Sequence, residues 1–209
     1  MPAWTGTGTE IPGASNPYAV KADVKARLGI SVTTHDDILD NLIDIASRAI
    51  DVDTDRVFYT SDDARYFDGT GTSELILPYD LLTVTTLLEN DSDGVLSVTW
   101  TSGVANYYVL EPYNESPKWK VRAVQGYVFT KGVRNFAITG RWGYAVGVPE
   151  MIEHACINRT ITMFNRLRDG EVTVQQVRNG EVSRTFFDPR TERERILMGV
   201  GSFRRMVAR

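Results

Sequence analysis

The sequence NFAITGRWGYAVGVPEMIEHACINRTITMFNRL, residues 135–167, decides how this chain can fold. Its first part alternates apolar with polar or small residues from Phe136 onward, which is the pattern of a half-buried strand. Pro149 is suited to the first turn of a helix, and Glu150 and Glu153 follow where the helix dipole favours negative charge. We therefore predict that a strand gives way to a helix within this stretch.

The predicted helix carries more apolar surface than a helix with one solvated face needs. At 100° per residue, one apolar stripe consists of Ile152, Ala155, Cys156, Met163 and Leu167. A second stripe beside it consists of Ile157, Ile161 and Phe164. One stripe can face the chain's own core, and the other needs either the β region or a neighbouring subunit. The second stripe is therefore a candidate subunit–subunit surface, with both alternatives open.

Length and composition are those of a globular protein. The chain has 209 residues, of which 42% are hydrophobic and 24% charged, so a sizeable core is expected. The single cysteine, Cys156, rules out an internal disulfide, and its place on an apolar stripe favours a buried structural thiol over a nucleophile. The N-terminal stretch MPAWTGTGTEIPG does not resemble a signal peptide, and no membrane span is predicted. We expect a soluble protein made in a reducing cytoplasm.

Charge is distributed unevenly along the chain. From Met151 onward there are 11 arginines and seven acidic residues, whereas the first 150 positions carry 12 basic and 20 acidic residues. The C-terminal part is therefore an arginine-bearing arm on an acidic body. Arginine suits protein interfaces because its planar guanidinium binds carboxylates in pairs and stacks on aromatic rings, although such an arm can also contact nucleic acid.

The helical segments are predicted on both sides of a β region. Residues 1–15, rich in Thr, Gly, Pro and Ser, are predicted to be a flexible lead-in. Residues 16–55 are predicted to begin a helical scaffold, with one helix from Asn16-Pro17 to Gly29 and a second capped by Thr34. Residues 142–170 hold the main helix. The core shared by the helices is predicted to consist of Ile38, Leu42, Ile45, Ile152, Cys156 and Met163.

Residues 56–141 are predicted to form an antiparallel β domain, because short apolar runs alternate there with turn formers such as Asp68-Gly69 and Asp93-Gly94. The predicted strands are Val57–Tyr59, Ala64–Phe67, Glu74–Leu77, Leu82–Glu89, Val95–Trp100, Tyr107–Leu110, Trp119–Val124 and Asn135–Thr139. The fold class is thus predicted to be α+β, a helical scaffold with an inserted antiparallel β domain.

Two C-terminal segments follow the scaffold. Residues 171–187 contain Arg178-Asn179-Gly180 between alternating runs, which predicts a β-hairpin. Residues 188–209 are predicted to be a docking arm, because arginines surround a few apolar anchors that are too sparse for a core of their own. The candidate interface residues are Arg190, Arg193, Arg195, Ile196, Leu197, Met198, Phe203, Arg204, Arg205 and Met206.

Catalytic and metal-binding patterns are weak. Asp51, Asp53, Asp55 and Asp62 copy part of the spacing of a calcium loop, but Arg56 stands where that loop needs glycine. A solvated helix end explains these residues better. His35 and His154 are predicted to be surface residues. With no nucleophile, base and orienting group at recognisable spacing, we predict no enzymatic activity, no cofactor and no metal.

The aromatic residues of the β region allow two interpretations. They can form a platform for carbohydrate or single-stranded nucleic acid, or they can form the core of a small β sandwich, which is the commoner use. Basic residues are not interleaved densely enough to follow a phosphate backbone, so sequence-specific nucleic-acid recognition is not expected. A carbohydrate-binding or carbohydrate-active β module remains an alternative function from a different class.

The order of several segments resembles that of the tailed-bacteriophage head-tail connector, or adaptor, proteins with an inserted β domain. The resemblance covers roughly residues 17–168, and the Gly-Tyr and Val-Pro-Glu junction between strand and helix carries most of it. The segments are KADVKARLGI, THDDILDNLIDIASRAI, RVFY, RYFDGTGTSELILP, TVTTLLEN, YYVLEPYNESPKWKVR and NFAITGRWGYAVGVPEMIEHACINRT.

The resemblance implies a structural virion protein rather than a catalyst. Such adaptors form homo-oligomeric rings, commonly dodecamers, beneath the portal protein, where they extend the DNA channel and present a platform to the next neck or tail component. Genomic DNA would pass through the lumen without sequence recognition, and subunits would assemble in the host cytoplasm. The arm would then be the interface with the portal or a neighbouring subunit. A tail-completion or neck protein at another level of the same assembly is the alternative.

Overall fold

The computed structural model describes residues 16–103, 107–168 and three short segments, 176–179, 182–185 and 201–203. The described residues fall into two compact units. The β unit comprises Val57–Gly147, and the helical unit comprises the residues before it together with those from Val148 onward. The fold is α+β with a β domain inserted into a helical scaffold, which confirms the predicted class. The insertion ends at Gly147 rather than at residue 141.

The helical unit contains α1 (Lys21–Leu28), α2 (Asp36–Thr54) and α3 (Glu150–Arg168). α1 stops at Gly29, whose φ of 66° lies in the left-handed region where glycine meets no steric penalty. α2 begins after His35, and no side chain caps it, so the predicted cap by Thr34 is wrong. Instead, the backbone amide of Asp36 donates to the carbonyl of Thr33.

The β unit contains six strands that form one antiparallel sheet, in the order β1-β6-β2-β5-β4, with β3 paired to β2. Their bounds are β1 Ser61–Gly69, β2 Glu74–Asn90, β3 Leu96–Trp100, β4 Tyr108–Glu111, β5 Lys118–Ala123 and β6 Gly132–Trp142. The two runs predicted on either side of Pro78 are one continuous strand, β2. The run Val57–Tyr59 forms no strand.

β2 is the central strand of this sheet because it pairs with β3, β5 and β6. It approaches β6 closely at Gly140, where an added Cβ would lie 2.1 Å from the carbonyl oxygen of Thr83. Any side chain there would separate the two strands, so glycine is required for their pairing.

The core of the β unit lies on one face of this sheet and is rich in aromatic rings. Trp100 stacks on Phe129 with ring centroids 5.1 Å apart, and Phe136 meets both rings edge to face. Stacked and edge-to-face pairs of this kind are favourable because the positive edge of one ring is attracted to the negative face of another. The buried cluster consists of Phe67, Leu75, Leu77, Leu81, Leu87, Trp100, Tyr108, Val121, Ala123, Phe129, Phe136, Ile138 and Trp142.

The C-terminal part contains a two-stranded antiparallel hairpin, β7 (Gln176–Asn179) and β8 (Val182–Thr185), in which Asn179 pairs with Val182. This agrees with the hairpin predicted around Asn179-Gly180. Gly201–Phe203 forms a short 3-10 turn. The rest of the predicted docking arm, and the predicted lead-in of residues 1–15, lie outside the described residues.

Candidate functional site: surfaces of the helical unit

The core of the helical unit is formed where α2 packs against α1 and α3. From α2 it receives Leu39, Leu42, Ile43, Ala46 and Ile50. From the other two helices it receives Val24, Ile152, Cys156, Ile157 and Phe164. The predicted pairing of α2 with α3 is thus observed for Leu42, Ile152 and Cys156.

Two predicted core residues are exposed, and two predicted contact residues are buried. Ile38 and Ile45 are 45% and 55% exposed, so their assignment to the core is wrong. α2 is apolar over so wide an arc that only part of it reaches the other helices. Conversely, Ile157 and Phe164 are only 2% and 4% exposed, because α3 packs this stripe within its own unit. Of the candidate subunit contacts on α3, Ile161 is half-buried.

The exposed apolar residues of α2 form a row. Ile38, Ile45 and Val52 are spaced seven residues apart, and Val52 is the most exposed of them at 79%. An aspartate precedes each one along the chain, at positions 37, 44 and 51. Sequence reasoning missed this surface, although the repeated Asp-apolar pair at a seven-residue interval was the signal for it. We call the three apolar residues the α2 seam.

Lysines of α1 compensate aspartates on another side of α2. The ammonium of Lys21 lies 2.8 Å from the carboxylate of Asp40, and that of Lys25 lies 2.7 Å from Asp36. The Lys25 ammonium, through its hydrogen bond, lowers the pKa of Asp36 below its usual value. These pairs hold α1 against the start of α2, although exposed ion pairs of this kind contribute little stability.

Aspartates in the second half of α2 have separate partners. Asp51 accepts a hydrogen bond from the Tyr18 hydroxyl, and burial raises the pKa of its carboxyl. Asp53 accepts a 2.9 Å bond from the guanidinium of Arg159 on α3. Asp62 is in β1, where Arg141 binds both of its carboxylate oxygens at 3.0 Å.

Asp51, Asp53 and Asp62, which copy part of the calcium-loop spacing, therefore lie in two different elements and bind different partners. Asp51 and Asp53 lie inside a regular helix, which cannot wrap around a cation as a twelve-residue loop does. Among the described residues, no group of three or more His, Cys, Asp or Glu side chains is arranged to hold a metal ion.

Cys156 is fully buried, as predicted for a structural thiol. Its sulfur lies 3.5 Å from the hydroxyl of Ser47, which itself donates to the carbonyl of Ile43. Burial raises the pKa of the thiol, which opposes formation of a reactive thiolate. The residue therefore packs α3 against α2.

The two histidines differ. His154 is exposed, as predicted, and contacts Arg27 and Glu150. His35 is half-buried, and its ring meets that of Phe164 edge to face at 5.4 Å. A packing role explains His35 better than a surface position does.

A shallow groove of about 450 Å³ lies in the helical unit between the segment before α1, α2 and the start of α3. It is lined by Pro17, Tyr18, Ala19, Val20, Lys21, Asp40, Ile43, Asp44, Val148 and Glu153. Its carboxylates lie on a mostly apolar lining that holds no hydroxyl, thiol or imidazole nucleophile apart from the phenol of Tyr18. The groove therefore has the character of a contact surface.

Six aromatic residues of the β unit belong to its buried core, which favours a core role over a carbohydrate platform, although the strands form one sheet and not the two of a sandwich. Tyr66, Trp119 and Tyr127 are partly exposed, but they belong to different segments. The guanidinium of Arg134 covers the ring of Tyr66 at 4.8 Å, so that face is already occupied. Within the described part of the chain, no helix is both long and apolar enough to cross a membrane.

No protein-family model and no curated protein sequence matches this chain. Solved structures share its fold, among them the following two. A chain from the neck of an empty gene transfer agent particle, computed with C6 symmetry, has a TM-score of 0.58 and 15% sequence identity, with 96% of each chain covered. A chain from the virion of a native gene transfer agent particle has a TM-score of 0.56 and 15% identity, covering 97% of this chain and 96% of its own. The likeness extends over both units and is one of fold.

Proposed function

We propose that this chain is a structural protein of a phage-like neck, and specifically the head-to-tail adaptor that forms a ring beneath the portal. The observation that carries the proposal is the fold shared, over 96% of both chains, with a protein in the neck of a gene transfer agent particle. The segment order of the sequence, which resembles head-tail connectors, supports the same conclusion independently of the coordinates.

The proposed assembly is a closed ring of identical copies, with twelve as the expected number. The neck that contains the similar fold was computed with sixfold symmetry, and twelve is a multiple of six. A closed ring needs each copy to present two complementary surfaces. The exposed α2 seam gives the helical unit an apolar surface suited to such a contact.

In the proposed adaptor, the arm of residues 188–209 docks onto the portal ring or an adjacent subunit. Its anchors Ile196, Leu197, Met198, Phe203 and Met206 would fill pockets, while Arg190, Arg193, Arg195, Arg204 and Arg205 would pair with carboxylates. The opposite side of the ring would hold a neck or tail-completion protein.

The ring lumen would extend the channel through which genomic DNA passes. The first 150 positions are acidic, and a lining that does not neutralise phosphates lets DNA slide instead of binding it. The function needs no catalysis and no cofactor. It belongs to the virion at the head-tail junction, with assembly in the host cytoplasm.

Electron microscopy and mass measurement of the purified protein, with and without the portal, test this proposal. We expect a ring bound to one face of the portal, and particles made without the chain should lose their DNA. Recovery of the protein from the tail tube or capsid shell instead of the portal face would contradict the adaptor role. A position one level further from the portal would identify the alternative, a tail-completion protein.

Deletion of residues 188–209 tests the role of the arm. We expect the shortened protein to keep its folded helical and β units but to lose attachment to the portal. Loss of DNA binding with portal attachment intact would show that the arm grips phosphates instead.

A further inference from the structure

Among the described residues, the α2 seam is left outside the core of the chain's own fold. Leu39, Leu42 and Ala46, about a quarter turn away around α2, already fill the core, whereas Ile38, Ile45 and Val52 are 45%, 55% and 79% exposed. Single exposed apolar residues are common on protein surfaces. A regular row of three on one helix is different, because it removes a continuous strip of surface from water when a partner covers it.

The geometry of the seam suits a helix as its partner. Ile38 and Val52 are separated by 14 residues, which corresponds to about 21 Å along the helix axis. A seven-residue spacing drifts by only about 20° per repeat, so the three side chains remain on nearly one line. A second helix crossing at a small angle can cover such a line along several turns.

The aspartates beside the seam favour a partner surface with positive charge. Asp37, Asp44 and Asp51 form a parallel acidic row, and α2 as a whole contains six aspartates and one arginine. Some of that charge is already compensated, since Asp51 lies 3.4 Å from Arg48. A partner surface that is apolar and basic is nevertheless favoured over one that is acidic.

The same unit offers such a surface at the end of α3. The residues from Asn158 to Arg168 include no acidic residue, and beyond Arg159, which is paired with Asp53 of the same copy, they include Arg166 and Arg168. Leu167 is 63% exposed between Arg166 and Arg168, and Met163, one turn earlier on the same side, is half-buried. This end of α3 is thus an apolar and basic complement to the acidic seam.

We infer that the α2 seam of one copy packs against the C-terminal turns of α3 of the next copy. The contact is heterologous, because each copy supplies an acidic surface on α2 and a basic surface on α3, and a heterologous contact closes into a ring when its rotation allows. The inference rests on the proposed function, for which it assigns the subunit contact. This contact takes the place of the one predicted at Ile157 and Phe164, because both residues are buried within each copy.

Other occupants fit the seam less well. Pairing of two α2 helices about a twofold axis would bring aspartate rows together, which is unfavourable. The same rows repel the phosphates of DNA. The β unit also has a basic strand, β5, but its Lys120 and Arg122 are already paired with Glu74 and Glu111.

The first test is Ile45→Arg in the full chain, supplied as the only source of the protein during particle assembly. We expect the variant to fold with an unchanged melting temperature, since Ile45 is exposed, and incorporation into particles to fall at least about tenfold. Val133→Arg is the matched control, because Val133 is 81% exposed in the β unit. Normal incorporation of Ile45→Arg would overturn the inference.

The second test combines charge reversals on the two surfaces. Asp44→Arg and Arg166→Asp alone should each reduce assembly, and the double variant should regain most of it because the pair is restored with opposite polarity. In assembled particles, Ile45→Cys with Leu167→Cys should give disulfide-linked dimers and higher multimers, whereas either single variant should not. Absence of both rescue and cross-linking would exclude this contact.

These outcomes separate the inference from the proposed function. If the wild-type protein occupies the portal face as a ring while the seam variants also assemble normally, the subunit contact lies elsewhere and the adaptor role stands. If the wild-type protein is never found at the portal, the adaptor role and the inferred ring contact both fail.

Discussion

The β unit and the helical unit use their apolar residues in different ways. The β unit buries large rings such as Phe136 and Trp142 completely, and its exposed apolar residues are spread over many elements. The helical unit buries smaller side chains, including the polar Ser47 and Thr160, and leaves a regular apolar row on α2. In the proposed ring, the row on α2 is the surface that the next copy covers, whereas the core of the β unit is filled within one copy.

The largest expected effect tests the completeness of the β core. Phe136→Ala removes a fully buried ring that contacts Trp100 and Phe129, so the free energy of unfolding should fall by about 3–5 kcal/mol. Urea denaturation of the full chain measures it. Val133→Ala, three residues away but exposed, should change the value by less than about 0.5 kcal/mol. Equal losses would contradict the assignment of this core.

The next effect compares two residues on α2. Leu42→Ala should cost about 2–5 kcal/mol, because Leu42 is buried against the other helices. Ile45→Ala should leave the stability of the isolated protein nearly unchanged, since Ile45 faces solvent. A loss of stability for Ile45→Ala as large as that for Leu42→Ala would show that the seam is covered within one copy.

A smaller effect is expected from the ion pair between α2 and α3. Arg159→Ala removes a partner from Asp53, whose side chain is only 8% exposed, and should cost about 1–3 kcal/mol. Lys21→Ala removes the more exposed pair with Asp40 and should cost less than Arg159→Ala does. Thermal melts of both variants at low salt give the comparison, and a reversed order would contradict it.

The smallest effect is a pH dependence with opposite signs in the two units. Burial raises the pKa of Asp51 in the helical unit, so its contribution to stability is full below its ordinary value of 3.8 and is lost as pH rises through the folded pKa. In the β unit, the hydrogen bond from Lys120 lowers the pKa of Glu111. That contribution is present above its ordinary value of 4.5 and is lost as pH falls through the folded pKa.

Melting temperatures measured from neutral to acidic pH check these signs. Asp51→Asn should stabilise the protein more at pH 7 than near pH 4, relative to wild type. Glu111→Gln should destabilise it more at pH 7 than at acidic pH. Parallel curves for wild type and either variant would contradict the corresponding assignment.

Most strands were predictable because alternation of apolar and polar residues is a local signal. Two predictions differ from the structure: the run at 57–59 forms no strand, and the runs at 74–77 and 82–89 are one strand. Pro78 lies between the last two runs, and proline cannot donate to a ladder. β2 instead continues through it, with a shift of register between Ile76 and Leu81 where pairing with β5 is interrupted. Pro78 lies within this interruption, and pairing with β6 begins only at Leu81, so the missing N–H of the proline costs no hydrogen bond of the sheet.

The surfaces of the helical unit were less predictable, because a sequence shows apolar stripes but not which stripe meets a partner. α3 carried two apolar stripes and α2 a wide apolar arc, and the contact between the helices buried Leu42 rather than Ile45 and left Ile157 inside. The hydrogen bond from Tyr18 to Asp51 joins residues 33 positions apart, so no local sequence pattern predicts it. The seven-residue repeat of Asp-apolar pairs marks the α2 seam in the sequence, but only the packing of α2 distinguishes it from the buried side of the helix.

The position of β6 and α3 late in the chain has a consequence for biosynthesis. β1 and β2 both pair with β6, so the β unit cannot close until the ribosome has made residues up to Trp142. α2 completes its core only with α3, so the helical unit cannot close until residues up to about Arg168 exist. Such sequence-distant contacts slow folding and leave apolar segments open to chaperones in the meantime. A nascent chain therefore cannot present a finished α2 helix packed on α3 before most of its length exists, and truncated products would be excluded from the growing particle.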